Sequence, residues 1–116
     1  VLPVARSGHP SGLRARKENE MSHNAVDLIA TIPSHPGRGA EVLALLQEYA
    51  VHVNADSGCD RFEVYLDRDD SDQVVVIERY RDDAAFAAHL ADPENAVLNA
   101  KLADLTLGGS QLQFLV

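Results

Sequence analysis

The chain has 116 residues, 46% of them apolar, which suits one compact domain with a modest core, and no second domain is expected. A formal net charge of -8 with a pI near 4.9 excludes the broad basic footprint that nucleic acid or anionic lipid requires, so neither nucleic acid nor a membrane is expected as a partner. No apolar run approaches the ~20 residues that cross a bilayer and the start has no apolar signal core, so the cytoplasm is the expected compartment. Cys59, the only cysteine, excludes an intrachain disulfide or a thiolate metal cluster.

Residues 1–20, VLPVARSGHPSGLRARKENE, are rich in Arg, Gly and Pro and carry no apolar period. They hold four basic and two acidic side chains, a net +2, against six basic and sixteen acidic, a net -10, in 21–116. They read as an N-terminal extension, an appended arm or an upstream over-reading, with the natural start at Met21; the functional alternative is a basic arm that docks on an acidic partner subunit. Residues 21–116 form the expected domain.

From Ala25 to Ile32, Val26, Leu28, Ala30 and Ile32 alternate with Asp27, Ile29 and Thr31, which predicts a first strand. Pro33, Pro36 and Gly37 break it, and Val42, Leu45, Leu46, Tyr49 and Val53 then recur at the spacing of one helical face. Ser57 and Gly58 close that helix. Arg61 to Asp67 sets Phe62, Val64 and Leu66 against Glu63 and Tyr65 as a second strand, and Gln73 to Tyr80 returns as a third after the polar turn RDDSD. Asp82 or Asp83 can cap the next helix, which carries Ala85, Phe86, His89 and Leu90 until Asp92 and Pro93 interrupt it. A further helical segment holds Val97, Leu98, Leu102 and Leu105, Gly108 and Gly109 stop it, and QLQFLV closes the domain as a fourth strand.

The order βαββαβ makes two split βαβ units, an α+β ferredoxin-like sheet with both helices on one face. In the third strand Val74 and Val76 point one way and Val75 and Ile77 the other, so neither face reads as solvated. A second copy covering the open face, an isologous homodimer, is the expected remedy.

Three stretches, PGRGAEVLALL, SGCDRFEVYLDRDDSDQVVVIERY and DDAAFAAHLADP, resemble the antibiotic biosynthesis monooxygenase family of dimeric α+β barrels, over nearly everything from Val26 to the C-terminus. The resemblance implies the fold and the dimer. It also implies a choice of activities: cofactor-free oxygenases of quinols and phenolic polyketides, haem-degrading enzymes, and a sugar-phosphate isomerase branch. Tyr80 stands where the family usually has a Trp at the end of the third strand, two residues after the matching acid Glu78. His89 matches a histidine common in the second helix, whereas Glu94 replaces the second histidine. Haem degradation is disfavoured, because the expected axial histidine falls near Asn99 and the aromatic that crowds the haem falls at His89.

His89 is aimed at the sheet by its position between Ala85 and Phe86, either as a satisfied interior histidine or as a base whose ordinary pKa near 6.5 suits removal of a phenolic or enolic proton. Glu78, on the face of Val74, Val76 and Tyr80, needs a donor such as Arg or Tyr; a structural ion pair and a catalytic carboxylate are both open. Tyr80 and Tyr65 can orient a substrate oxygen or simply pack. His52 reads as exposed or as a partner of the helix dipole, and Cys59 as a small buried residue. No histidine pair at i, i+4 and no glycine-rich strand-to-helix loop is present, so no metal, nicotinamide, flavin or ATP is expected as a cofactor.

The expected function is therefore a cofactor-independent monooxygenase whose small quinol or polyphenol substrate supplies the electrons to oxygen. Tyr49, Phe86, Leu90 and Val97 would hold the ring while His89 takes a hydroxyl proton and Glu78 orients or balances it. The alternatives are a non-catalytic small-molecule binding dimer and a proton-shuttling isomerase on the same fold.

Overall fold

The computed structural model describes residues 24–116, so the N-terminal extension 1–20 and the proposed start at Met21 lie outside the described residues. Within them the order is β1 (Val26–Pro33), α1 (Gly39–Asn54), β2 (Cys59–Asp67), β3 (Asp70–Tyr80), α2 (Asp83–Ala91), α3 (Pro93–Leu102) and β4 (Gln111–Leu115). The four strands form one antiparallel sheet in the order β2-β3-β1-β4, so the fold is the α+β ferredoxin-like one. The second helical layer is broken in two at Asp92. That residue is extended (φ -64°, ψ 130°), as the residue before a proline prefers, and Pro93 opens the next helix with its preset φ.

Register decides which side chains meet. Leu28, Ala30 and Ile32 of β1 lie opposite Glu78, Val76 and Val74 of β3, which in turn oppose Phe62, Val64 and Leu66 of β2. All face the helices, and with Val42, Leu46, Tyr49 and Val53 of α1 and Leu98 and Leu102 of α3 they build the core. Leu45, expected on that face of α1, is only half-buried. The opposite sheet face carries Ile29, Thr31, Val75 and Ile77, each part-exposed, with Tyr65 beside Val75. Val74 and Val76 are buried while Val75 and Ile77 are not, so the helices protect one face only, as the double-sided apolar pattern of β3 requires.

Two acidic side chains set the helix starts near the site. Asp82, not Asp83, caps α2 by accepting from Ala85 N at 2.8 Å, and Asp92 caps α3 by accepting from Glu94 N at 2.9 Å. The start of α1 is capped from outside the helix: Asp72 in β3 accepts from Gly37 N and Gly39 N at 3.1 Å each. Gly39 presses so close to the strand that a Cβ there would stand 1.9 Å from Ser71 O. The PGRG segment thus serves the fold by letting helix and hairpin touch. No described helix is long and apolar enough to cross a membrane.

Candidate functional site

Between the helices and the sheet lies a small cavity that opens to solvent. Its floor is the sheet, from Leu28, Ala30, Phe62, Val76, Glu78 and Leu112; α1 contributes Leu46 and Tyr49, α2 contributes Phe86, His89 and Leu90, and α3 contributes Asn95 and Leu98. An apolar chamber with a few converging polar groups is the ordinary form of a small-molecule site.

Glu78 stands at the centre of the floor, directly between Leu28 and Phe62 in the sheet register. Its carboxyl is 7% exposed, and Oε1 accepts from the Tyr80 hydroxyl at 2.6 Å. Oε2 has no partner among the described residues. Burial among these apolar neighbours pushes the carboxyl up to about 7, against the opposing pull of the Tyr80 hydrogen bond. The bland expectation of an ion pair is not met, because no Lys or Arg reaches Glu78 among the described residues and tyrosine is the donor. Tyr80 itself is pushed far above the usual phenol range by burial and by the adjacent carboxylate, so it stays a donor at every relevant pH.

His89 lies in an aromatic nest, with ring centroids 4.9 Å from Tyr80, 6.1 Å from Phe62 and Tyr49, and 6.3 Å from Phe86. Burial lowers it to about 4, opposed by the more distant Asp92 and Asp56. The expected titration near 6.5 is therefore replaced by a ring that is neutral at physiological pH. Glu78 ionises only above about 7 and His89 protonates only below about 4, so between those values neither is charged. Of the two, the group whose proton affinity lies nearest neutral pH is the carboxylate.

Tyr49, Phe86 and Leu90 line the cavity as expected. Val97 does not: 46% exposed, it lines a separate groove between α1 and α3 with Leu45, Glu48, His52 and Lys101, because α3 turns Leu98 inward and Val97 outward. Tyr65 is likewise not brought to the cavity. It opposes Val75 on the far face of the sheet, is 48% exposed, and donates to Glu63 Oε1 at 2.9 Å. The alternation of β2, with Tyr65 opposite to Phe62 and Val64, already carried that signal.

Three groups join the site without a local sequence signal. Asn95 Nδ2 donates to the Tyr49 hydroxyl at 3.2 Å, Asn99 Nδ2 donates to Asn95 Oδ1 at 3.0 Å, and Ser110 lines the wall ahead of β4. His52 is neither free nor a simple dipole partner: its Nε2 lies 2.8 Å from Asp92 Oδ2, which raises its pKa, and its ring stacks on Tyr49. Among the described residues no three His, Cys, Asp or Glu side chains converge as a metal centre requires.

The site sits on a widely shared scaffold. The protein PA3566 from Pseudomonas aeruginosa is similar at 27% identity, with 79% of this chain and 92% of that one covered and a TM-score of 0.73. Rv0793 from Mycobacterium tuberculosis is similar at 25% identity, with 80% and 94% covered and a TM-score of 0.72. A structure described as an antibiotic biosynthesis monooxygenase shares the fold at 21% identity and a TM-score of 0.71, with 78% and 96% covered. No curated protein matches the chain. The family model for antibiotic biosynthesis monooxygenase matches residues 26–99, the segment that carries Tyr49, Glu78, Tyr80 and His89, and the chain belongs to that family.

Proposed function

We propose that the chain is a monooxygenase of a small quinol or polyphenol, with the substrate supplying the electrons that oxygen accepts. The observation that carries this reading is Glu78: a buried carboxyl at the centre of an apolar cavity, one oxygen held by Tyr80 and the other without a partner among the described residues. Family membership supports the monooxygenase class.

Magnitudes decide between the two candidate bases. A phenol near 10 passes its proton to a carboxylate near 7 uphill by about three units, about 4 kcal/mol. Passing it to an imidazole near 4 is uphill by about six units, about 8 kcal/mol. Glu78 is thus the acceptor, and the neutral His89 ring, seated on Tyr80, forms with Phe86 the wall that positions the substrate. The phenolate then gives one electron to oxygen, and superoxide and the phenoxyl radical join at a ring carbon bearing hydrogen. Glu78 returns its proton to the resulting peroxide. Loss of the ring C–H proton with cleavage of the O–O bond leaves a carbonyl and water, so one oxygen atom enters the product. The dry, apolar walls supply position and exclude water.

The second copy of the chain belongs to the same reading. Ile29, Val75, Ile77 and Leu115 form a part-exposed apolar sheet face that an isologous homodimer would bury.

Oxygen uptake by purified protein with a panel of quinols and polyphenols tests the function. Uptake should rise with pH to a midpoint near 7 in the wild type and in His89→Gln, and should collapse in Glu78→Gln. Anaerobic conversion of the substrate would replace the oxygenase with the isomerase, and tight binding without conversion would leave the binding dimer.

A further inference from the structure

Among the polar groups of the cavity that the proposed proton transfer leaves unused are Tyr49, Asn95 and, behind them, Asn99. They come from two helices and form one hydrogen-bonded chain whose direction is fixed. Asn99 Nδ2 donates to Asn95 Oδ1, and Asn95 Nδ2 donates to the Tyr49 hydroxyl oxygen. The Tyr49 oxygen is therefore an acceptor toward Asn95, and its hydrogen must look elsewhere. No described residue accepts it.

At the other end of the chain Asn99 Oδ1 is buried with no partner among the described residues. Turning both amides over would pair that oxygen and let the Tyr49 hydroxyl donate to Asn95 Oδ1, but it would set the Asn99 NH2 in the same partnerless position. The arrangement present in the structure leaves a buried carbonyl unpaired and, in the same stroke, leaves the Tyr49 hydrogen free. A polar chain with a loose acceptor at its closed end and a loose donor at the cavity wall is the arrangement that a ligand oxygen completes.

We propose that Tyr49, oriented by the Asn95–Asn99 chain, donates to a second oxygen of the substrate, so that the site selects aromatic rings bearing two oxygen functions over monophenols. The proposal rests on the reading that Glu78 receives a phenolic O–H: one substrate oxygen donates to Glu78 in β3, and another accepts from Tyr49 in α1. Tyr49 keeps its proton throughout, because burial pushes it up to about 12, so the second pole remains a donor over the range in which Glu78 titrates. Asn95 and Asn99 are positioning residues that act through Tyr49.

Equilibrium binding under argon tests this, with 1-naphthol as the one-oxygen probe and 4-methoxy-1-naphthol as the probe that adds an acceptor and no donor. The wild type should bind the methoxy probe about fivefold more tightly, the worth of one neutral hydrogen bond. That ratio should fall to about one in Tyr49→Phe, which keeps the ring. It should also fall in Asn99→Asp, because an acceptor-only residue at 99 draws the amide of Asn95 and turns its carbonyl onto the Tyr49 hydrogen. A preference that survives Tyr49→Phe, or no preference in the wild type, overturns the proposal. Oxygen uptake measured alongside separates the two readings: a preference lost in both variants but without uptake refutes the oxygenase and retains the two-oxygen clamp, whereas uptake without a preference does the reverse.

Discussion

Replacing Glu78 by Gln removes one of two buried groups whose titrations oppose each other. Glu78 is raised from 4.5 to about 7, so the folded protein holds a proton there that the unfolded chain releases. Its contribution to stability is full below pH 4.5 and declines as pH rises toward 7, by about 3 kcal/mol at about 1.4 kcal/mol per unit. His89 is lowered from 6.5 to about 4, so the unfolded chain binds the proton that the folded one refuses. Stability therefore rises between pH 4 and 6.5, by about 2 kcal/mol once the solvent reaching this half-buried ring is allowed for. In the wild type the two slopes largely cancel from pH 4.5 to 6.5. Glu78→Gln keeps the Tyr80 hydrogen bond through the amide carbonyl and leaves only the His89 slope. Urea unfolding at intervals from pH 4 to 8 measures both proteins. The stability of the wild type minus that of the variant should fall by about 3 kcal/mol between pH 4.5 and 7 and level off above. Other titrating groups drop out of that difference, and a flat difference would refute the assignment of a buried, neutral Glu78.

Four further outcomes follow from the same contacts. Tyr80→Phe removes the hydrogen bond that lowers Glu78, so the midpoint of the pH-rate profile should move above 7, read from oxygen uptake. Gly39→Ala drives a Cβ into Ser71 O and should cost about 2–4 kcal/mol in chemical denaturation. Asp92→Ala removes the α3 cap, costing about 1 kcal/mol, and should let the His52 pKa drop toward 6.5 in an NMR titration. The wild type should sediment as the proposed dimer and Ile77→Asp, on the open sheet face, as a folded monomer; a wild-type monomer would refute the dimer, and a variant that stays dimeric would place the interface elsewhere.

The strands and the open sheet face are legible in the alternation of Val26 to Ile32 and of Gln73 to Tyr80, because period-two patterning is a local property. The cavity wall is legible where helical spacing places Tyr49, Phe86 and His89 inward. Val97 shows the limit of that signal, since a position one residue from the buried Leu98 faces a different groove. The opposed pKa shifts of Glu78 and His89 cannot be read locally. It depends on the register that sets Leu28 and Phe62 on either side of the carboxyl and on the rings gathered around the imidazole. Asn95 meets Tyr49 across 46 positions and His52 meets Asp92 across 40, distances at which a sequence pattern carries no pairing information.

Cys59 lies beside Tyr80 across the β2–β3 ladder, and burial pushes its thiol up to about 11. At neutral pH roughly one molecule in ten thousand then carries the thiolate that peroxide attacks. The chain has one other sulfur, Met21, and no tryptophan. In the oxygenase proposed above, hydrogen peroxide leaking from aborted cycles would attack the enzyme's own side chains. Cys59 would meet it in the protonated form that peroxide does not attack.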